Sequence, residues 1–113
     1  MKHIAIFLFL ALQTIVSFGQ TRYWVSDVAA SWNGDNWANS SNGAPDGSGP
    51  PIAAENARFD ANGSGNCTLN LALDTITNFE ITNYTGTIEF DGNSLRSTGI
   101  VTLTSGTQLG YGY

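Results

Sequence analysis

Three properties of this 113-residue chain predict an all-β fold. Charged residues make up only 12% of it, so the Glu/Lys/Leu pattern of amphipathic helices is missing. Polar character comes instead from Ser, Thr and Asn, which suit turns and strands better than helix interiors. Short extended stretches recur at intervals of roughly 8 to 13 residues, separated by Gly/Asn turns. This pattern fits either a sandwich or a solenoid. Short segments and a Thr/Ser/Asn content suited to stacking like on like favour the start of a β-solenoid, with a small β-sandwich as the alternative. The repeat is imperfect, and no single period emerges from the sequence.

The first 19 residues read as a signal peptide. Lys2 gives a basic start, residues 4–12 are an unbroken apolar run, and Ser17 and Gly19 are small residues at the spacing a signal peptidase reads. The run is too short to span a bilayer comfortably, so no membrane span is expected after cleavage. Export places the protein in the extracellular space or on the outer cell surface. The remainder carries three Arg against nine Asp/Glu, a formal charge of −6, which repels nucleic acid and anionic membranes. Cys67 is the only cysteine, so there is no internal disulfide or Cys-based zinc site, and a small buried strand residue is the expectation.

Residues 20–60 form the second region, an aromatic cap with a Gly/Pro-rich loop. Residues 22–25 read as a strand. Trp32 and Trp37 flank Asn33-Gly34-Asp35-Asn36, a turn signal in which Gly supplies positive φ and folds the two indoles toward one body. Residues 39–51 carry too much Gly and Pro for a helix or a central strand. Residues 53–55 have the composition for a single helical turn, and residues 57–60 for the next strand. Residues 61–113 read as β-strand repeats. Residues 67–71 alternate, Ile76, Phe79 and Ile81 carry the next piece, Ile88 and Phe90 face opposite to Glu89 and Asp91, Leu95 is an apolar anchor, and residues 100–104 are a further strand. Solenoids need closing caps. The last residues read as the middle of a repeat, which leads to the expectation of a truncated array.

Tyr23-Trp24-Val25, Trp32, Trp37, Pro45, Glu55-Asn56-Ala57-Arg58-Phe59-Asp60, Cys67-Thr68-Leu69 and Gly86-Thr87-Ile88 together resemble the amino-terminal region of bacterial secreted β-strand-repeat proteins. Those include autotransporter-passenger-like repeats and large adhesins. The resemblance implies a right-handed parallel β-helix and a structural or adhesin-type role at the bacterial cell surface.

Catalysis of its own is not expected. His3 and Lys2 lie in the leader, so the remaining chain has neither imidazole nor lysine, which removes triads, Cys-His pairs and Schiff-base chemistry. Glu80, Glu89 and Asp91 are the carboxylates closest to a glycosidase pair, although Glu89 and Asp91 read as a solvated face. The enzyme alternative is the start of a polysaccharide-degrading β-helix whose catalytic residues lie downstream. The binding alternative is a carbohydrate-binding module in which Tyr23, Trp24, Trp32 and Trp37 stack on sugar rings while Asp35 and Asn36 bind hydroxyls. A small Gly-rich domain needs those aromatics in its core, which favours their burial over stacking. No cofactor is expected. Calcium at Asp35, Asp46, Asp60 or Asp91 has only a weak basis, because no recognised ligand spacing is present. The expected partner is an extracellular polysaccharide or a host or cell surface. Asp74-Thr75-Ile76 looks like an O-glycosylation triplet, a weak signal in a Thr-rich chain.

Overall fold

The computed structural model describes residues 19–70, 73–104 and 108–110. Residues 1–18, which carry the leader, lie outside the described residues, as do Leu71 and Tyr111–Tyr113. No helix among the described residues is long and apolar enough to cross a membrane.

The fold is all-β. Its strands are β1 (Thr21–Trp24), β2 (Ala30–Ser31), β3 (Trp37–Ala38), β4 (Asn56–Phe59), β5 (Cys67–Thr68), β6 (Leu73–Ile76), β7 (Phe79–Ile81), β8 (Thr87–Glu89), β9 (Ser94–Ser97), β10 (Val101–Leu103) and β11 (Gln108–Gly110). They form three sheets: β10-β7-β4-β1-β3, β11-β8-β5-β2 and β6-β9. Among the described residues, every pairing is parallel except β1 with β3. From β4 onward, consecutive strands enter different sheets and the fourth returns to the first. The alternating apolar residues of one strand therefore meet those of the strand three elements on, rather than those of a hairpin partner.

The parallel registers set residues of paired strands in rows. In the first sheet, Arg22, Ala57, Phe79 and Val101 share one row, Tyr23, Arg58, Glu80 and Thr102 the next, and Phe59, Ile81 and Leu103 a third. In the second sheet, Ala30, Cys67, Ile88 and Leu109 are in line. Partners from β4 onward lie 21 or 22 residues apart, as in Ala57–Phe79, Phe79–Val101, Cys67–Ile88 and Leu73–Ser94. The period is hidden in the sequence because the first circuit is far longer: Arg22 pairs with Ala57 and Ala30 with Cys67.

Asparagines serve the turns between strands. Asn56 Oδ1 accepts from the Asn78 backbone N–H at 3.1 Å, and Asn78 Oδ1 accepts from that of Ile100 at 2.8 Å. Asn66 Oδ1 accepts from the Thr87 N–H at 2.9 Å. Each amide satisfies a main-chain donor at or just before the start of a strand. Close approach fixes the intervening turn: a Cβ on Gly65 would stand 2.0 Å from the Val28 carbonyl oxygen.

Several local expectations need correction. The tight turn at Asn33-Gly34 does not use positive φ; those values occur at Gly47, Gly49, Gly92, Asn83 and Asp91 among the described residues. A Cβ on Gly34 would lie 2.7 Å from Asn36 Nδ2, the far end of a flexible side chain that can turn aside. Residues 53–55 form only a turn, closed by Glu55 N–H to the Ile52 carbonyl at 2.8 Å. The region around Ile76 and Phe79 is two strands and not one, and Leu95 sits inside a four-residue strand that its Ser and Arg neighbours obscure.

Candidate functional site: the aromatic cap

The window that the sequence offered as a ligand site is folded inward. Strand β1 alternates half-buried and buried residues, which directs Arg22 and Trp24 to the interior and Tyr23 outward. The short antiparallel partner β3 places Trp37 opposite Trp24. Trp24, Trp32 and Trp37 are all 0% exposed. Their rings meet edge-on, at 5.4 Å for Trp24–Trp37 and 4.8 Å for Trp32–Trp37. Phe59 is the hub, with Trp24 stacked at 5.6 Å, Trp37 at 5.4 Å, Tyr84 at 5.0 Å, and Trp32 and Phe79 at 6.1 Å. Edge-to-face and offset contacts of this kind add about 0.5–1.5 kcal/mol per pair beyond area burial.

Burying an indole requires a partner for its N–H, and each has one. Trp24 donates to the Gly65 carbonyl at 3.1 Å, Trp37 to the Trp32 carbonyl at 2.8 Å, and Trp32 to Asp74 Oδ2 at 2.5 Å. Tyr84 Oη donates to the same Gly65 carbonyl at 2.6 Å. Burial pushes the Tyr84 phenol and the Cys67 thiol well above their ordinary ranges, so both stay protonated in the fold.

The sugar-stacking arrangement is therefore not present at the indoles, because stacking needs an open ring face and these rings have none. Asp35 and Asn36 are committed to the fold as well: Asp35 Oδ1 accepts from the Gly47 N–H at 2.9 Å, and Asn36 Nδ2 donates to the Ser31 carbonyl at 3.0 Å. Tyr23 alone of the six candidates lies on an outward row, half-buried, in line with Arg58 and Glu80. A depression on that side, lined by Asn78, Glu80, Ile100 and Thr102, holds about 100 Å³. Small-molecule sites usually offer about 300–1,000 Å³.

The sequence did not single out Arg22. It is 2% exposed, and it donates to both carboxylate oxygens of Asp46 at 2.7 and 2.8 Å, to the Gly49 carbonyl at 2.9 Å and to Asn39 Oδ1. This fork fastens the Gly/Pro loop to β1. Hydrogen bonding from Arg22 holds the Asp46 carboxyl far below its ordinary range. The stabilisation is thus complete above the usual carboxylate pKa and declines only as pH falls below it. One signal in the sequence does point there: strand alternation puts Arg22 on the same face as Trp24, and a buried guanidinium requires a fixed anion.

Among the described residues no group of three or more His, Cys, Asp or Glu is placed to hold a metal ion. Asp60 receives the Asn62 N–H at 2.9 Å and the Ser41 hydroxyl at 2.5 Å, a turn-capping role. Asp91 occupies a left-handed turn position at φ 48°. Of the carboxylates, Glu80 faces Arg58 at 3.9 Å and Glu89 is exposed. No family model, curated protein or solved structure matches the chain.

Proposed function

We propose that this chain is an exported, non-catalytic structural or adhesin-type module, built as the capped beginning of a parallel β-solenoid. The observation that carries the reading is the parallel pairing of every third strand at a step of 21 or 22 residues. A small sandwich is built from antiparallel neighbours, so this pairing favours the solenoid. Three supports stand behind the functional half of the proposal. The leader directs export. The chain after it has no imidazole or lysine. Its aromatic side chains seal one end, leaving outward rows that mix Ser31, Thr68 and Thr102 with Tyr23, Arg58, Glu80 and Glu89. A surface of that kind suits a rigid spacer or a broad, shallow contact with a polysaccharide or a cell surface.

The test is expression of the intact sequence in a bacterial host with an outer membrane, followed by fractionation and amino-terminal sequencing. Recovery outside the cytoplasm with a new terminus near Gly19 is expected, together with retention on polysaccharide or cell-surface preparations and no release of soluble sugar. Uncleaved cytoplasmic protein, or steady release of reducing ends, would sink the proposal.

A further inference from the structure

The outward side of the first sheet carries one row of side chains whose polar ends the fold leaves unused. Tyr23, Arg58 and Glu80 stand in register on β1, β4 and β7. Each of these strands has a neighbour on both sides, so the row does not depend on either edge of the sheet. All three side chains are half-buried. Among the described residues, none of them makes a side-chain hydrogen bond. The Arg58 guanidinium stands 3.9 Å from Asp60 and 3.9 Å from Glu80, beyond hydrogen-bond reach. Its Nε is enclosed without an acceptor, which is uncommon in a native fold. The cap differs: there Arg22 is saturated by Asp46, Asn39 and the Gly49 carbonyl. A guanidinium held as loosely as that of Arg58 is free to turn its fork toward a ligand.

We infer that this row is a binding strip for an extended, uncharged glycan that crosses the strands with its rings lying along Tyr23, Arg58 and Glu80. The inference rests on the polysaccharide contact proposed above and gives it a place and a ligand class. Tyr23 supplies a flat apolar body for the C–H face of a sugar ring, and a phenol hydroxyl beside it. Arg58 donates to ring hydroxyls and Glu80 accepts from them. Paired strands stand about 4.8 Å apart. Successive rings of an extended pyranose chain repeat at a similar spacing, so neighbouring side chains of the row address neighbouring rings. Charge selects among ligands. One guanidinium between two carboxylates leaves the strip net negative, on a chain of net charge −5, so uronate, sulfate and phosphate groups are repelled. The guanidinium between the carboxylates likewise opposes a bridging divalent cation. A row with a single ring and no aliphatic side chain lacks the apolar centre of a protein interface, whereas its donors and acceptors match a hydroxyl-rich chain.

The experiment is calorimetric titration of the intact chain with neutral β-1,4-linked gluco-, manno- and xylo-oligosaccharides of increasing length, and with a carboxymethylated glucan chain. Nitrogen-edited NMR of the arginine Nε–H signals runs alongside. At least one neutral series should bind, with affinity that rises up to about three rings, the reach of three strands about 4.8 Å apart, and then levels off. The carboxymethylated chain should not bind, and the Arg58 Nε–H signal should move as the neutral glycan is added. Tyr23→Ala and Glu80→Gln should each weaken binding by at least about tenfold. Glu89→Gln, on the outward row of the second sheet, should leave it unchanged. Near-ultraviolet circular dichroism of the tryptophans verifies that each variant is folded. Absence of binding by every neutral series overturns the inference, as does preference for the carboxymethylated chain. Retention on cell-surface preparations that survives both Y23A and E80Q would remove this strip and leave the adhesive reading in place; failure of export or release of sugar would count against that reading and not against the strip.

Discussion

Phe59 and Leu103 occupy the same inward row of the same sheet, two circuits apart, and experience opposite environments. Phe59 is 0% exposed and touches five other rings; Leu103 is 51% exposed. Both sit at positions facing the interior, so alternation alone cannot explain the difference. Neighbouring strands decide it: β1 and β3 lie beyond β4, whereas among the described residues no strand lies beyond β10. A row in a parallel sheet is only as buried as the strands and loops that lie over it. Stability is accordingly concentrated where residues 24–37 deliver three tryptophans, and the exposed apolar side chains of β10 add less.

The largest effect is expected from Phe59→Ala. Removing the hub ring should cost about 3–5 kcal/mol, much of the stability of a domain this small. Urea denaturation followed by tryptophan emission measures it; a cost under about 1 kcal/mol, below the usual range for a core aromatic, would mean that the ring cluster does not organise the cap. Arg22→Ala comes next, at about 2 kcal/mol, since it removes the charge-assisted bonds of a buried guanidinium to Asp46 and Gly49. The same variant should expose residues 39–55 to limited proteolysis. Unchanged cleavage would show that the fork to Asp46 does not hold the loop.

Alkaline pH probes the same end more gently. Tyr84 and Cys67 are held protonated by burial, so the unfolded chain releases protons that the folded one retains. Their contribution is complete below the unfolded pKa values. It falls as pH rises past about 8.5 for the thiol and about 10 for the phenol, by up to about 1.4 kcal/mol per pH unit per group. Denaturation midpoints across pH of about 7 to 11 should show this decline, and Cys67→Ala should delay its onset to about 10. A flat profile would place both groups in contact with water in the native state. The smallest effect is expected at β10. Leu103→Ala, at a half-exposed position, should cost under about 1 kcal/mol, while Ile81→Ala, its fully buried partner in the same row, should cost about 2–5 kcal/mol. Equal costs would erase the distinction between the two positions.

Composition and turn spacing made the all-β class legible, and the demands of a small core made the burial of the tryptophans legible. The 21- to 22-residue step was not, for a physical reason. Its strands are two to four residues long, too short for periodicity to stand out, and the long first circuit breaks the count. The Arg22–Asp46 fork spans 24 residues of chain, and the Trp32–Asp74 bond spans 42. Pairings at that separation leave no trace in the local sequence beyond the alternation that puts Arg22 on the same face as Trp24. Gly34 is a further instance: its position in an Asn-Gly pair suggested positive φ, which the folded turn does not use.

That the aromatic window is a structural plug and not a binding face can be tested most directly by acrylamide quenching of tryptophan emission, in the folded chain, in urea, and with extracellular polysaccharides added. All three indoles contribute, and all three are fully enclosed. Quenching in the folded chain should be a small fraction of that in urea and should not change with any polysaccharide. Quenching close to the unfolded value, or protection by a sugar polymer, would contradict the assignment and return the window to the role of a ligand site.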